Sequence, residues 1–228
     1  MDSTTSSAIS IQSILKKFDN VDPDYRHMAA YDLDRLLDKP SFDAQKQEHV
    51  IIDKLLRALG DNSEDIAGLA MSCLAKLAKR CDTDISNVIL SKLAGMARDR
   101  DNRRQDKLRP VARQAMKQVL QGLAPNPKAA SYIPNNIISQ VLDELETLGN
   151  AHQQESEKLD FMSILTELLK RSNASTFLNK SIASRSEAVL VEALESGLSS
   201  YRKSATIGIR ELVANLPDNE ARGTLEVL

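Results

Sequence analysis

Apolar residues recur at one helical spacing in five stretches of the chain. Each stretch begins at an apolar residue and places apolar or small residues 3, 4, 8 and 11 positions later. These positions lie on one face of an α-helix. The stretch that begins at Phe161 departs from the spacing at its last position, Ser172. The five starting residues are Tyr25, Ile66, Leu108, Phe161 and Tyr201.

The starting residues are separated by 41, 42, 53 and 40 positions. An interval of about 40 residues is typical of HEAT-type repeats, which consist of two helices each. A second periodic segment precedes each of the five helices and would complete a hairpin. We therefore predict an all-α fold, a single α-solenoid over residues 1–228 with about five HEAT-type hairpins. The predicted hairpins span residues 8–38, 44–80, 84–123, 134–171 and 186–216, and residues 217–228 begin an incomplete repeat.

Other residues also recur at fixed positions of these helices. Arg26, Arg109 and Arg202 directly follow the starting residue of their stretches, and alanine stands four positions after it in four of the five. Small residues at a repeated position indicate a close approach of two helices. Pro110 falls near the fourth position of its helix, so we expect an irregular or delayed first turn there.

Composition supports a helical protein and excludes several other classes. The chain is rich in leucine and alanine, has only 4% aromatic residues and no tryptophan, and contains 8 glycines and 7 prolines. Such usage is atypical of β-sandwiches and of disordered chains. The net charge of -2 gives no reason to expect nucleic acid as a partner. The N-terminal residues include neither a basic region nor a long apolar run, and charges interrupt the longest apolar stretches, so we expect no signal peptide and no membrane partner. Because Cys73 and Cys81 are the only cysteines, we expect a reducing compartment.

No set of residues in the sequence indicates chemistry. His27, His49 and His152 lack a second ligand three or four positions away, which helical zinc sites require. The glycines are scattered singly, so no phosphate-binding loop is present. We therefore predict a protein that is not an enzyme, with no cofactor and with no catalytic, cofactor-binding or metal-binding residues.

Charge is concentrated in one segment. Between Arg98 and Lys117 eight basic residues face three aspartates, so this segment carries +5 and the rest of the chain carries -7. One interpretation is a docking surface for an acidic patch of a partner protein. A second is a solvated turn whose Arg and Asp residues pair among themselves. A third, nucleic-acid binding, lacks the aromatic residues that usually interleave such a run.

Several sequence runs resemble the N-terminal part of the cullin-associated and neddylation-dissociated protein family. The resemblance covers nearly the whole chain and is strongest before Leu77. It rests on the order of runs in residues 22–33, 50–59, 70–74, 108–109, 122–125, 158–169 and 201–212.

The resemblance implies a function in regulating cullin–RING ligases. Members of that family form a long HEAT solenoid that wraps around an unneddylated cullin, opposes neddylation and promotes exchange of substrate receptors. It implies that this chain binds the cullin C-terminal domain and the RING-box protein, in the cytoplasm and nucleus. A separate C-terminal half of the same solenoid is a further partner if the chain is a natural split half rather than a fragment. The alternative is a generic HEAT scaffold or transport adaptor for another protein.

In solenoids of helical pairs, the second helices line the concave face. With the recurring apolar positions facing inward, several tyrosine and basic side chains of these helices should face outward. Tyr and Arg are frequent at interface hot spots. Together with the basic segment, this reasoning predicts a protein-binding set of Tyr31, Arg35, Lys76, Arg80, Arg103, Arg104, Arg113, Lys117, Lys203 and Arg210.

Overall fold

The computed structural model describes residues 10–44, 47–100, 106–123, 134–148, 154–172, 177, 179–216 and 221. Within these ranges ten α-helices have described bounds, and no strand is present. The helices are α1 (Ile11–Lys17), α2 (Pro23–Leu37), α3 (Glu48–Ala58), α4 (Glu64–Arg80), α5 (Thr83–Arg98), α6 (Leu108–Gly122), α7 (Asn135–Leu148), α8 (Glu155–Arg171), α9 (Lys180–Leu194) and α10 (Ser199–Asn215).

The helices stack as two layers of consecutive hairpins. Each odd-numbered helix packs against the helix that follows it. Helices α3, α5, α7 and α9 contact one another in sequence and form the first layer. Helices α2, α4, α6, α8 and α10 form the second layer in the same way. The prediction of an all-α solenoid of HEAT type is confirmed.

The core lies between the two layers and runs without a break along the stack. In α4 the recurring positions Ala70, Leu74 and Leu77 are fully buried, and the same positions are buried in α6 and α10. Burying one such leucine contributes about 1.5–3 kcal/mol. The apolar face that the spacing predicts therefore holds the layers together.

Side-chain caps set the beginnings of several helices. Ser10 accepts a hydrogen bond from the backbone N–H of Ser13, and Asp82 accepts one from that of Ile85. Asp22 caps α2 with Pro23 in its first turn, where the missing N–H of proline costs nothing. Capping groups of this kind satisfy N–H groups that have no partner within the helix.

The structure differs from the sequence expectations at three places. Helix α9 begins at Lys180, capped by Asn179, whereas the fifth hairpin was expected from residue 186. Pro110 is the third residue of α6, inside the first turn, where backbone N–H groups have no partner within the helix. Its missing N–H therefore does not delay the start of the helix. Tyr25 and Met28, expected to face inward, are 48% and 49% exposed. The predicted incomplete repeat at 217–228 lies outside the described residues, apart from residue 221.

Candidate protein-binding surface

The sides of the second-layer helices carry ion pairs that join one repeat to the next. Lys76 of α4 reaches α2, where its ammonium nitrogen lies 2.9 Å from the Asp34 carboxylate and 2.7 Å from that of Asp38. The Ser72 hydroxyl lies 2.8 Å from the same Asp34 carboxylate. The predicted binding residue Lys76 is thus half-buried and paired within the solenoid.

The prediction that Arg113 faces outward is wrong. It lies on α6 with 6% of its surface exposed. Its guanidinium is 2.9 Å from Glu157 and 3.1 Å from Asp160, both on α8, and lies 5.4 Å from the centre of the Phe161 ring. A buried cation requires paired carboxylates. Arg113 therefore joins two repeats and offers no charge to a partner.

Arg80 is exposed, yet its guanidinium is also engaged inside the chain. It donates to the carbonyl oxygens of Leu37 at 2.8 Å and Pro40 at 3.1 Å, and stacks 5.6 Å from the centre of the Phe42 ring. Arg171 similarly donates to the carbonyl of Leu123, at the end of α6. These arginines hold the carbonyl ends of the preceding second-layer helices.

The recurring arginine holds the turn inside two of the hairpins, those that contain Arg26 and Arg202. Arg26 donates to the Asn20 carbonyl at 2.9 Å, and Arg202 donates to the Ser196 carbonyl at 2.6 Å, in each case six residues earlier. Arg26 also makes two hydrogen bonds to Asp61, and these bonds hold the pKa of the Asp61 carboxyl below its ordinary value of 3.8. The recurrence found in the sequence therefore has a structural role.

The basic segment pairs mainly with the helices that follow it. Arg98 and Arg100 lie 3.2 Å and 2.7 Å from the Glu144 carboxylate of α7. Arg109 pairs with Asp106, three residues earlier, as the solvated-turn interpretation expects. The pairing with α7 and α8 was in none of the three interpretations. The predicted residues Arg103 and Arg104 lie outside the described residues.

Apart from Arg80, four predicted residues are exposed, at opposite ends of the described second layer. On α2, Tyr31 is 48% exposed and its ring centre lies 5.7 Å from the Arg35 guanidinium. On α10, Lys203 and Arg210 are exposed, and Arg210 pairs only with the adjacent Glu211 among the described residues. Lys117 is half-buried on α6. The accessible part of the predicted set is therefore smaller than the sequence implied.

Tyr25 and Met28 were missed as surface residues. With Tyr31 and Arg35 they form one strip of α2, which we call the α2 stripe. The spacing alone assigned both residues to the core. The signal that distinguishes them is their place in the first second-layer helix, since no described helix precedes α2 in that layer.

Little in the described part of the chain indicates chemistry. No group of three or more His, Cys, Asp or Glu side chains there is arranged to hold a metal ion. Burial raises the pKa of the Cys73 thiol well above its ordinary value, which makes it a poor nucleophile. Over the same residues, no helix combines the length and the apolar character that crossing a membrane requires.

Curated proteins similar to the chain come from animals, plants and amoebae. Cullin-associated NEDD8-dissociated protein 2 of Mus musculus is 28% identical over 169 residues, or 73% of the chain. Cullin-associated NEDD8-dissociated protein 1 is 24% identical in Drosophila melanogaster and 27% in Arabidopsis thaliana, each over 96% of the chain. The chain spans 13% to 17% of the length of these relatives. No family model matches it.

Solved structures support the fold alone. A structure described as the basis of microtubule plus end tracking by XMAP215, CLIP-170 and EB1 aligns with a TM-score of 0.63 and 17% identity, over 94% of this chain and 83% of the other. A designed armadillo repeat protein aligns with a TM-score of 0.54 and 14% identity, over 96% of this chain and 88% of the other. Both are similar in fold to this chain.

Proposed function

We propose that the chain, which is similar to the cullin-associated NEDD8-dissociated proteins, is a non-catalytic regulator that binds a cullin. The observation that carries the proposal is the similarity over 96% of the chain to relatives named for this association. The chain would dock on an unneddylated cullin and its RING-box protein and oppose neddylation. Since it spans only 13% to 17% of its relatives, we propose docking and not receptor exchange by this chain alone.

The mechanism would be surface complementarity. The inter-repeat ion pairs join the second-layer helices into one surface, because Lys76 and Arg113 are each bound to a neighbouring repeat. The side chains that remain accessible, Tyr31, Arg35, Lys203 and Arg210, would contact the partner, and Arg103 and Arg104 would steer its approach. We place the protein in the cytoplasm and nucleus, which imaging of the tagged full chain would test.

Gel filtration of the purified chain with a cullin–RING-box pair tests this function. We expect co-elution with the unmodified cullin and a clear loss of co-elution with the neddylated form. Absence of association with either form at micromolar concentration and low salt would reject the proposal. Replacing Arg103 and Arg104 by glutamate should slow association and flatten its salt dependence, with Lys180→Glu on α9 as the control in the other layer.

A second function is compatible with the same fold. A solenoid of HEAT type also fits a generic scaffold or transport adaptor for another protein. The two functions differ in what co-purifies with the chain from its own cells. Recovery of cullin and RING-box protein favours the first, and recovery of other proteins without cullin favours the second.

A further inference from the structure

The α2 stripe is an unpartnered face in the described part of the protein. Tyr25, Met28 and Tyr31 are 48%, 49% and 48% exposed. Their spacing, with Arg35 four residues further on, places them along one side of the helix. Exposed large apolar side chains are ordinary when scattered, but a contiguous strip of them marks an interaction surface.

The position of Tyr25 is covered in three later repeats. Ile66, Phe161 and Tyr201 correspond to Tyr25 and are 1%, 1% and 5% exposed. Ile164 corresponds to Met28 and is fully buried. The counterpart of Tyr31 in α10, Ile207, stays 38% exposed, so the repeat packs the N-terminal part of this strip and leaves the position of Tyr31 accessible there.

Lys76 shows what covers the strip elsewhere. It occupies in α4 the position that Arg35 occupies in α2, and it binds Asp34 and Asp38, four residues apart on the preceding helix. Arg35 has no carboxylate within ion-pair distance among the described residues, and stacks on Tyr31 instead. Lys76 of α4 thus binds two carboxylates, whereas Arg35, at the same position of α2, binds none among the described residues.

We propose that the α2 stripe binds an amphipathic helix of a partner protein that carries two carboxylates four residues apart. The helix would lie beside α2 as α2 lies beside α4. Its apolar side chains would cover Tyr25 and Met28, and its carboxylates would meet Arg35. This is a helix-to-helix recognition mode in which apolar anchors give affinity and the charge gives register.

A second copy of the chain does not supply this helix. The flank of α10 that no described helix covers carries Arg210 at the position that Asp34 has in α2. Stacking two copies end to end would set Arg210 against Arg35, and like charges in an interface are costly. The charge pattern therefore favours an acidic helix from a different protein.

A peptide copy of the helix that binds Lys76 tests this proposal. The probe is a labelled peptide of residues 22–40, stapled between positions 28 and 32 so that it is helical and leaves Asp34 and Asp38 free. By fluorescence anisotropy we expect saturable binding to the full chain. Binding should fall about tenfold when Arg35→Glu is introduced in the chain, or when both peptide aspartates become asparagine. The control variant Lys180→Glu, a charge reversal on the other layer, should bind as the wild type does.

A charge exchange keeps the test independent of folding. The chain with Arg35→Glu should recover binding to a peptide in which Asp34 and Asp38 are lysine, and circular dichroism should report an unchanged fold. Three results would overturn the proposal: no saturable binding, equal losses for Arg35→Glu and Lys180→Glu, or binding only after residues 1–9 are removed, which would identify that segment as the occupant. No cullin is used, so this test and the cullin test fail separately.

Discussion

Arg113 on α6 and Arg210 on α10 lie in the same layer, and the sequence assigned both to the binding face. Arg113 is 6% exposed and bound to two carboxylates of α8. The side chain of Arg210 is 73% exposed and pairs with its own neighbour, Glu211. The difference lies in the next helix of the layer: α8 covers Arg113, and no described helix covers Arg210.

The comparison teaches that a helix in a solenoid has three kinds of surface. One side faces the core, one faces solvent, and the two flanks face the previous and the next repeat. Hydrophobic spacing identifies the core side only. Ion pairs occupy the flanks here. In the sequence, a charged residue on a flank therefore cannot be distinguished from a charged residue that faces solvent.

The largest effect should come from breaking the α6–α8 junction. Arg113→Ala leaves Glu157 and Asp160 without their cation, and we expect it to lower the free energy of unfolding by about 3 kcal/mol. Arg210→Ala, the same substitution at a solvent-exposed position, should lower the free energy of unfolding by less than about 0.5 kcal/mol. Urea unfolding followed by circular dichroism measures both. Equal losses would mean that the coverage of Arg113 has no energetic consequence.

A smaller effect should follow at the α2–α4 junction. Lys76→Ala removes the ammonium from Asp34 and Asp38, and we expect a loss of about 1 kcal/mol, since this pair is partly exposed and screened. In 1 M salt, which screens the pair, the loss of unfolding free energy should be smaller. A loss as large as that for Arg113→Ala would contradict the ordering by burial.

The pH dependence should separate the Arg26–Asp61 pair from solvated carboxylates. The pKa of Asp61 lies below its ordinary value of 3.8 because Arg26 hydrogen-bonds to it. Its contribution to stability is therefore complete above about pH 4 and is lost as the pH falls through the lowered pKa. Asp61→Asn should be less stable than the wild type at pH 6, and the gap should narrow towards pH 3. A gap that stays constant with pH would exclude this linkage.

The smallest effect on the free energy of unfolding is expected at α10, where the same substitutions should weaken binding. Replacing Lys203 and Arg210 by glutamate should change the free energy of unfolding by less than about 0.5 kcal/mol each. If this end of the layer contacts the cullin, association in gel filtration should weaken and lose part of its salt dependence. Lys180→Glu on the first layer should leave association unchanged.

Much of the fold could be predicted from the sequence. The buried positions Ala70, Leu74 and Leu77 follow directly from the spacing, because a core face needs an unbroken apolar period. The start of α9 was predicted less accurately. The cap of Asn179 adds a turn of alanine and serine before the strongly apolar residues begin.

The site was less predictable because it depends on neighbours. Tyr31 and Arg35 were found because they lie off the core side of α2 and no described helix of the same layer precedes α2. Arg113 was misassigned because its partners on α8 come 44 and 47 residues later, beyond any local pattern. Tyr25 was misassigned for the opposite reason: the pattern assumed a neighbour that the described residues do not provide.

The pairs between repeats also encode the order of the repeats. Lys76 finds carboxylates because α2 carries Asp34 and Asp38 at the facing positions. At the same two positions α6 carries Lys117 and Gln121, so the second hairpin placed after the third would meet a like charge. Duplicating or exchanging hairpins would thus be penalised at their junctions. The hairpins look interchangeable in their apolar spacing, but the second hairpin is matched by charge to the first.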